Sequence, residues 1–444
     1  MPPGGRSTAA PARLRPLAGI LTALLVAQSG TRISAIAIPW FVLVTTGSAT
    51  QTGLVAFCEM GPYVAVKAFT GPLVDRVGPR RISWVADVVS AATASLIPVL
   101  HAAGMLSFGA LLALVAVIGA VRSPGDLAKD VMIPEAAELS RVPLERATGL
   151  EGVVERLSGT VGPAAGGALV ALVGPMAGLG VNAACFVLGS LVVAAALPRG
   201  MGRPHGRPEG TAGAEGGTEG GYWHRLRQGF AFLRREPLLL TLSAMIGVTN
   251  LLDAACAAVF VPVWAKESGH GPAAIGLVWA AFSVTATVGS FVAAAVAHRL
   301  RRRPVFFLGW LVAGAPRFLV LASGAPLWAV AVVIGIGGLG GGFINPIIGA
   351  VTYERIPPEM VGRVRGIGQA LTWAGIPLGG LLGGAAVAGV GLAPVLVVAG
   401  IVYFLTTNLA GLRPEWRAMD RHRGKGRAEP VPPAAPAEAT RSAT

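Results

Sequence analysis

The chain has 444 residues, 53% of them hydrophobic and only 13% charged, with 36 Lys and Arg against 22 Asp and Glu. Soluble domains carry roughly 25% charged residues, so a soluble enzyme with an ordinary polar surface is excluded, and long apolar runs with 62 glycines describe a polytopic membrane protein. The net charge of +14 fits either a nucleic-acid partner or a membrane protein whose cations gather on one side, and their placement decides between the two.

Residues 1–16 read as a short cytoplasmic tail carrying Arg6, Arg13 and Arg15. Twelve stretches then follow that are long enough to cross about 30 Å of hydrocarbon. In the first half they run over 17–45, 51–70, 82–101, 105–122, 150–172 and 177–197. In the second they run over 238–263, 273–297, 304–322, 326–350, 367–388 and 391–411. The expected fold is an all-α membrane protein of twelve transmembrane helices, with one six-helix bundle over 17–198 and a pseudo-symmetric second over 237–411.

Between the bundles, 199–236 is a cytoplasmic linker rich in Gly, Pro, Glu and Arg, a composition that stays flexible. It closes with "WHRLRQGFAFLRR", where Trp223, Leu226, Phe230 and Leu233 fall at helical spacing opposite several arginines. Such a helix suits an anionic lipid surface. Residues 412–444 are basic and then Pro/Ala-rich, and are expected to be disordered.

The cations sort by loop. Arg32, Lys67, Arg156 and Arg317 fall within spans and Lys266 in an opposite loop. The remaining 31 of the 36 occupy the termini and the alternate loops 71–81, 122–149, 199–235, 298–303 and 355–365. This asymmetry predicts a multi-pass plasma-membrane protein with both termini cytoplasmic, and leaves no nucleic acid to explain. Cys58, Cys185 and Cys256 lie in apolar stretches without metal-ligand spacing, so no metal site is expected. No phosphate-binding G-x4-G-K-[ST] loop occurs, which argues against ATP as the energy source.

Three local patterns stand out. "GPLVDRVGPRR" between the second and third spans orders Gly71, Asp75, Arg76, Gly78, Arg80 and Arg81; glycine permits the turn and the charges offer partners to helix ends and carboxylates. The fifth span holds Gly149, Ser158, Gly162, Pro163, Gly166 and Gly167, small residues that let helices approach closely. An offset of 213 residues brings Gly375, Gly379 and Gly380 of the eleventh span onto Gly162, Gly166 and Gly167, an echo of one bundle in the other.

These patterns resemble the major facilitator superfamily over nearly the whole chain. The loop is similar to that family's G-x-L-x-D-R-x-G-R-R signature, with Pro79 inserted before the Arg pair. The resemblance implies that Asp75 latches the two halves and that the arginines pair with an acid of the fourth helix, Asp126 or Asp130. The fifth-span pattern is similar to the family's antiporter motif, G-x8-G-x3-G-P-x2-G-G, with Ser158 in place of the second glycine. "PIIGAVTYERIPPEMVGRVRG" and "LRQGFAFLRREPLL" look like the enterobactin-exporter and macrolide-efflux type. The arginine motif of the fourth helix common among drug/proton antiporters is not evident within Leu106–Ala120.

Ionisable residues at the bilayer centre cost on the order of 3 kcal/mol on insertion scales and face the bundle interior in pairs. Counting depth along the spans places Arg32, Glu59, Asp253 and Arg317 near one level. An Arg32–Glu59 pair and a cavity-facing Asp253 are expected, with Lys67 near Asp87. By the family's architecture the first, fourth, seventh and tenth helices line the cavity, so Arg32, Glu59, Asn250, Asp253 and Asn345 are candidates for the substrate and proton pathway, while Arg317, on a peripheral helix, reads as packing or as a cation snorkelling to the membrane surface. Glu151 and Glu155 share a helix face as gate or inner helix end.

The expected activity is secondary active transport: proton-coupled export of a small apolar or amphipathic compound by alternating access. Substrate and protons are its partners, with anionic lipid at the basic face, no nucleic acid, no cofactor beyond the proton gradient, and a monomeric state. Alternatives are an importer of a small nutrient or a membrane receptor that kept the fold. An enzyme is disfavoured, because no nucleophile, base or metal-ligand cluster lies at one depth.

Overall fold

Inside a membrane every backbone N–H and C=O must be satisfied within the protein, and the apolar stretches accordingly become long helices. A computed structural model describes residues 14–198, 201, 222–296, 300–356, 361–413, 416 and 419. The first half comprises α1 (Arg15–Thr46), α2 (Ala49–Val77), α3 (Pro79–Ala102), α4 (Phe108–Leu139), α5 (Leu144–Val173) and α6 (Pro175–Ala196). The linker helix is α7 (Tyr222–Arg235). In the second half, α8 (Pro237–Ala255) continues through a π-turn at Cys256–Phe260 into α9 (Val261–Glu267), and α10 (Gly271–Val296) follows. Then come α11 (Arg302–Ala313) and α12 (Ala315–Ala322), broken at Gly314, and α13 (Leu327–Arg355). Last are α14 (Val361–Trp373) and α15 (Gly375–Val390), broken at Ala374, and α16 (Leu392–Ala410).

Taking the broken rods as continuous, eleven helices among the described residues are long and apolar enough to cross a membrane. The rod α2 carries Glu59, Lys67, Asp75 and Arg76 and falls short on apolarity, yet its 29 residues span about 43 Å and return the chain from α1 to α3.

Connections alternate between the two ends of the molecule. At the far end, away from the linker, they are short. Gly47, at φ 68°, and Ser48 reverse the chain between α1 and α2, and the Ser48 hydroxyl accepts from the Gln51 N–H at 3.2 Å, a helix N-cap. A single glycine joins α5 to α6 (Gly174, φ 99°) and another joins α15 to α16 (Gly391, φ 83°), in a conformation that side-chain-bearing residues rarely adopt.

The halves meet where α2 packs on α15 and α5 on α10. Glycine makes both contacts possible: a methyl on Gly53 would strike the Gly380 carbonyl, and one on Gly276 the Pro163 carbonyl. The apolar core around Phe260, Trp264 and Phe318 reaches Ile36, Leu43 and Ala49 of the first half, so at the far end the two bundles share one core. A separate cluster around Phe41, Ile97 and Leu179 serves the first half alone.

The main correction to the sequence reading concerns α4. Residues after 122 are expected as a loop, but the helix runs unbroken to Leu139 and carries Arg122, Asp126, Lys129 and Asp130 with it. Pro124 and Pro134 lie inside it without ending it, since neighbouring helices and local adjustments re-satisfy the freed backbone groups in a membrane bundle. The helix α5 likewise starts at Leu144, ahead of the expected 150. On α7, Leu233 is buried with Leu239, Ile356 and Val364, and Phe230 is exposed. The side chains of Trp223 and Leu226, the tail before residue 14, residues 202–221 and those from 420 on lie outside the described residues.

Candidate functional site

The interior of the first half is polar at mid-depth. Gly119 of α4 packs directly on the backbone carbonyl of Glu59 in α2, and this close approach brings the next turn, with Arg122, onto the Glu59 side chain. Arg122 donates from Nη1 to Glu59 Oε1 at 3.0 Å, and both side chains are nearly inaccessible, at 11% and 13%. Its Nε lies 3.7 Å from Asp126 Oδ2, one turn further along α4. Tyr63 of α2 donates its hydroxyl to the same Asp126 oxygen at 3.3 Å, and its ring lies under the guanidinium at 4.8 Å. Asp126 keeps 41% of its side chain accessible: the arginine is in the wall, and one of its two carboxylates looks into the interior.

Arg32 does not pair with Glu59. It stands exposed on α1 against Gly162 of α5, where a methyl would meet its Cβ at 2.6 Å, and the charges acting on it are Glu155 and Arg122. A depth count does not give the bearing around each helix, and that bearing puts different residues opposite Arg32 and Glu59. Nor does Lys67 pair with Asp87. Asp87 Oδ1 accepts from Lys129 Nζ at 2.7 Å in a fully buried pair between α3 and α4, while Lys67 reaches across to the second half, its ammonium 3.6 Å from the ring centre of Trp373.

Among the described residues the second half holds a comparable centre, apart from its linker-end pairs Arg302–Glu354 and Arg355–Glu236. Asp253, on the last turn of α8 before the π-turn, accepts from Nη2 of Arg317 on α12. Arg317 is thus a partner of the candidate acid and not a lipid-facing cation. It is closed in by Phe318 and Tyr403, whose ring centres lie 4.9 and 5.0 Å from the guanidinium carbon. The break at Gly314 fits this centre, because a methyl there would strike the Tyr403 ring. Asp253 retains 38% of its side chain accessible, against 7% for Arg317.

Asn250, one turn before Asp253, spends its side-chain amide on the backbone, donating from Nδ2 to the Thr372 carbonyl at 2.8 Å. That carbonyl is freed by the α14–α15 break, so Asn250 steadies the neighbouring Trp373 from α8 within the second half. Asn345 is exposed on α13 beside Pro346.

The glycine motif acts as a seam. Gly162 and Gly166 of α5 face Arg32 and Ile33 of α1, while Gly167 faces Gly276 of α10 across the halves. Their counterparts repeat the geometry: Gly375 and Gly379 face Gly247 and Leu251 of α8, and Gly380 faces Ala56 and Gly53 of α2. Ser158, standing where the motif has glycine, donates its hydroxyl to Gln28 Oε1 at 2.7 Å. Gly149 has open space around it.

In the loop motif, Gly78 (φ 93°) makes the turn into α3, Arg80 donates to the Ala194 carbonyl at 3.2 Å, and Arg76 and Arg81 are exposed. The Asp75 side chain lies outside the described set, and Gly71 continues α2. Glu151 is half-buried and Glu155 exposed on α5. Sequence reasoning missed Arg122, Tyr63, Trp373 and Tyr403. Only Arg122 carried a signal, as a cation 15 residues into a stretch beginning at Phe108. Among the described residues no group of three His, Cys, Asp or Glu is placed to hold a metal ion.

Comparison with known proteins places this architecture. The family model described as Major Facilitator Superfamily matches residues 20–253 and 244–438. The multidrug efflux pump Tap of Mycobacterium tuberculosis (strain ATCC 25618 / H37Rv) is 31% identical over 407 residues, covering 90% of this chain and 94% of the pump. Tap of Mycolicibacterium fortuitum is 30% identical over 412 residues, covering 91% and 97%. The solved structure of the nucleoside transporter NupG superimposes with a TM-score of 0.66 at 14% identity, over 92% of this chain and 99% of NupG. A bacterial homolog of the human lysosomal transporter Spinster, in an inward-facing and unoccupied conformation, gives 0.63 at 14% identity, over 95% and 100%.

Proposed function

The chain belongs to the major facilitator superfamily as a multi-pass membrane transporter, and from that premise we propose that it exports small apolar or amphipathic compounds, drugs among them, against inward proton flow. The observation that carries this reading is the pair of accessible carboxylates, Asp126 and Asp253, each touching an arginine buried in the wall. A proton arriving on Asp253 cancels the charge that holds Arg317, one arriving on Asp126 leaves Arg122 to Glu59 alone, and a wall that loosens on protonation can pass between two packings. Alternating access needs such a bistable element. The similarity to Tap pumps over nine-tenths of the chain supports efflux as the direction.

The glycine seam and the apolar core shared by the two bundles close the far end. With the basic loops and termini on the cytoplasmic side, this is the state that receives a compound from the cell or the inner leaflet. The chain works as a monomer, its basic linker face against anionic lipid.

The test is accumulation of a compound panel, including a macrolide, a tetracycline and a cationic dye, in cells with and without the gene and with and without an uncoupler. Export predicts lower accumulation of at least one compound, abolished by the uncoupler. Accumulation that is unchanged for all of them, or raised by the protein, overturns the reading.

A further inference from the structure

Lys67 poses a problem that the export scheme does not use. It lies 18 residues into α2, toward the linker end of the span and half-buried, where a cation is costly unless paired. Among the described residues it forms no hydrogen bond or ion pair, and its ammonium rests on an aromatic face instead. The Trp373 ring centre is 3.6 Å away and the Tyr63 ring centre 5.7 Å. The two rings are near-parallel, 16° apart with centres 6.3 Å apart, and come from opposite halves. Asp126, hydrogen-bonded to Tyr63, and Asp130, exposed on the next turn of α4, both act on the ammonium electrostatically.

Two near-parallel rings with Asp126 and Asp130 nearby form a recognition site for a weakly hydrated organic cation, with Arg122, 4.8 Å from the Tyr63 ring centre and paired with Glu59 and Asp126, as the neighbouring fixed charge. A primary ammonium is a strongly hydrated occupant with three donors to satisfy. We propose that Tyr63 and Trp373 form a subsite for a monovalent tertiary or quaternary organic cation, and that Lys67 fills it as a tethered competitor while the transporter is empty. An arriving cation displaces the lysine, which swings toward Asp126 and Asp130, and the tie between α2 and α14 passes from protein to ligand. The empty carrier is thereby held in one arrangement until a cation replaces its own. The proposal rests on the export reading for its purpose but not for its binding chemistry.

The test uses the full-length protein in nanodiscs of fixed lipid composition, titrated with tetraphenylphosphonium by calorimetry. A neutral compound of similar size, triphenylmethane, is assayed by equilibrium dialysis. Removing the competitor with Lys67→Met should raise phosphonium affinity on the order of tenfold, the worth of a partly desolvated cation–π contact, and leave the neutral compound unchanged. Trp373→Leu should weaken phosphonium binding, and Lys67→Met should give no gain in that background. A gain that survives without Trp373 is a general charge effect and overturns the subsite. Equal or weaker phosphonium binding by Lys67→Met overturns the competitor, with Lys67→Gln as the second variant if the first is not monodisperse. Absent cation binding alongside intact uncoupler-sensitive efflux of a neutral compound sinks this proposal alone. Binding as described with no efflux of any compound sinks the export reading alone.

Discussion

Away from the linker-end ion pairs, each half of the molecule sets an arginine beside an accessible carboxylate in the span interior, Arg122 with Asp126 and Arg317 with Asp253, and the difference between the two centres is redundancy. In the first half Arg122 has Glu59 in the wall and Asp126 toward the interior. In the second, Arg317 has Asp253 as its acid, and its other neighbours are the faces of Phe318 and Tyr403. Losing the accessible acid therefore strands one arginine and not the other. The first centre can give up a carboxylate and stay folded, whereas the second couples any change at Asp253 directly to the α8–α12–α16 wall.

The largest expected effect tests that coupling. Asp253→Asn should destabilise the protein by about 3–5 kcal/mol, because a buried charge loses its counter-charge, seen as a lowered midpoint in SDS titration of the purified protein. Adding Arg317→Leu should recover most of the loss, since removing both members of a buried pair is close to neutral. A single variant as stable as the parent would break the contrast between the halves.

Glu59→Gln comes next, at about 1–3 kcal/mol by the same assay: Arg122 keeps Asp126, but at a longer distance. Asn250→Ala should cost about 1 kcal/mol by leaving the Thr372 carbonyl without its donor. It should also shift Trp373 fluorescence, read in a background with the other tryptophans replaced. The smallest stability change is expected for Asp126→Asn, within about 1 kcal/mol, because Glu59 still neutralises Arg122. That variant should reach the membrane in normal amount and lose most uncoupler-sensitive efflux. Retained efflux would reduce the first centre to a packing device.

Much of this was legible in the chain. The twelve passes and the 213-residue echo rest on local hydropathy and glycine spacing, and the echo reappears as matching contacts of Gly162 with α1 and Gly375 with α8. The far reach of α4 was hidden because a run holding Arg122, Asp126, Lys129, Asp130 and two prolines has the composition of a loop. Its helicity depends on partners supplied by α2 and α3. Pairings were legible only to the level of depth: one residue of helical rotation turns a side chain through about 100°, so Glu59 meets Arg122 and not Arg32. Neutral participants such as Tyr63, Trp373 and Tyr403 carry no signal until the helices are packed.

The brevity of the far-end connections has a last consequence. With α5–α6 and α15–α16 each joined by one glycine in a left-handed backbone, almost nothing projects beyond the helices there. A protease or antibody approaching those two connections meets helix ends and no loop it can grip, so tags and cleavage sites for topology mapping belong elsewhere, as in the longer connection 103–107.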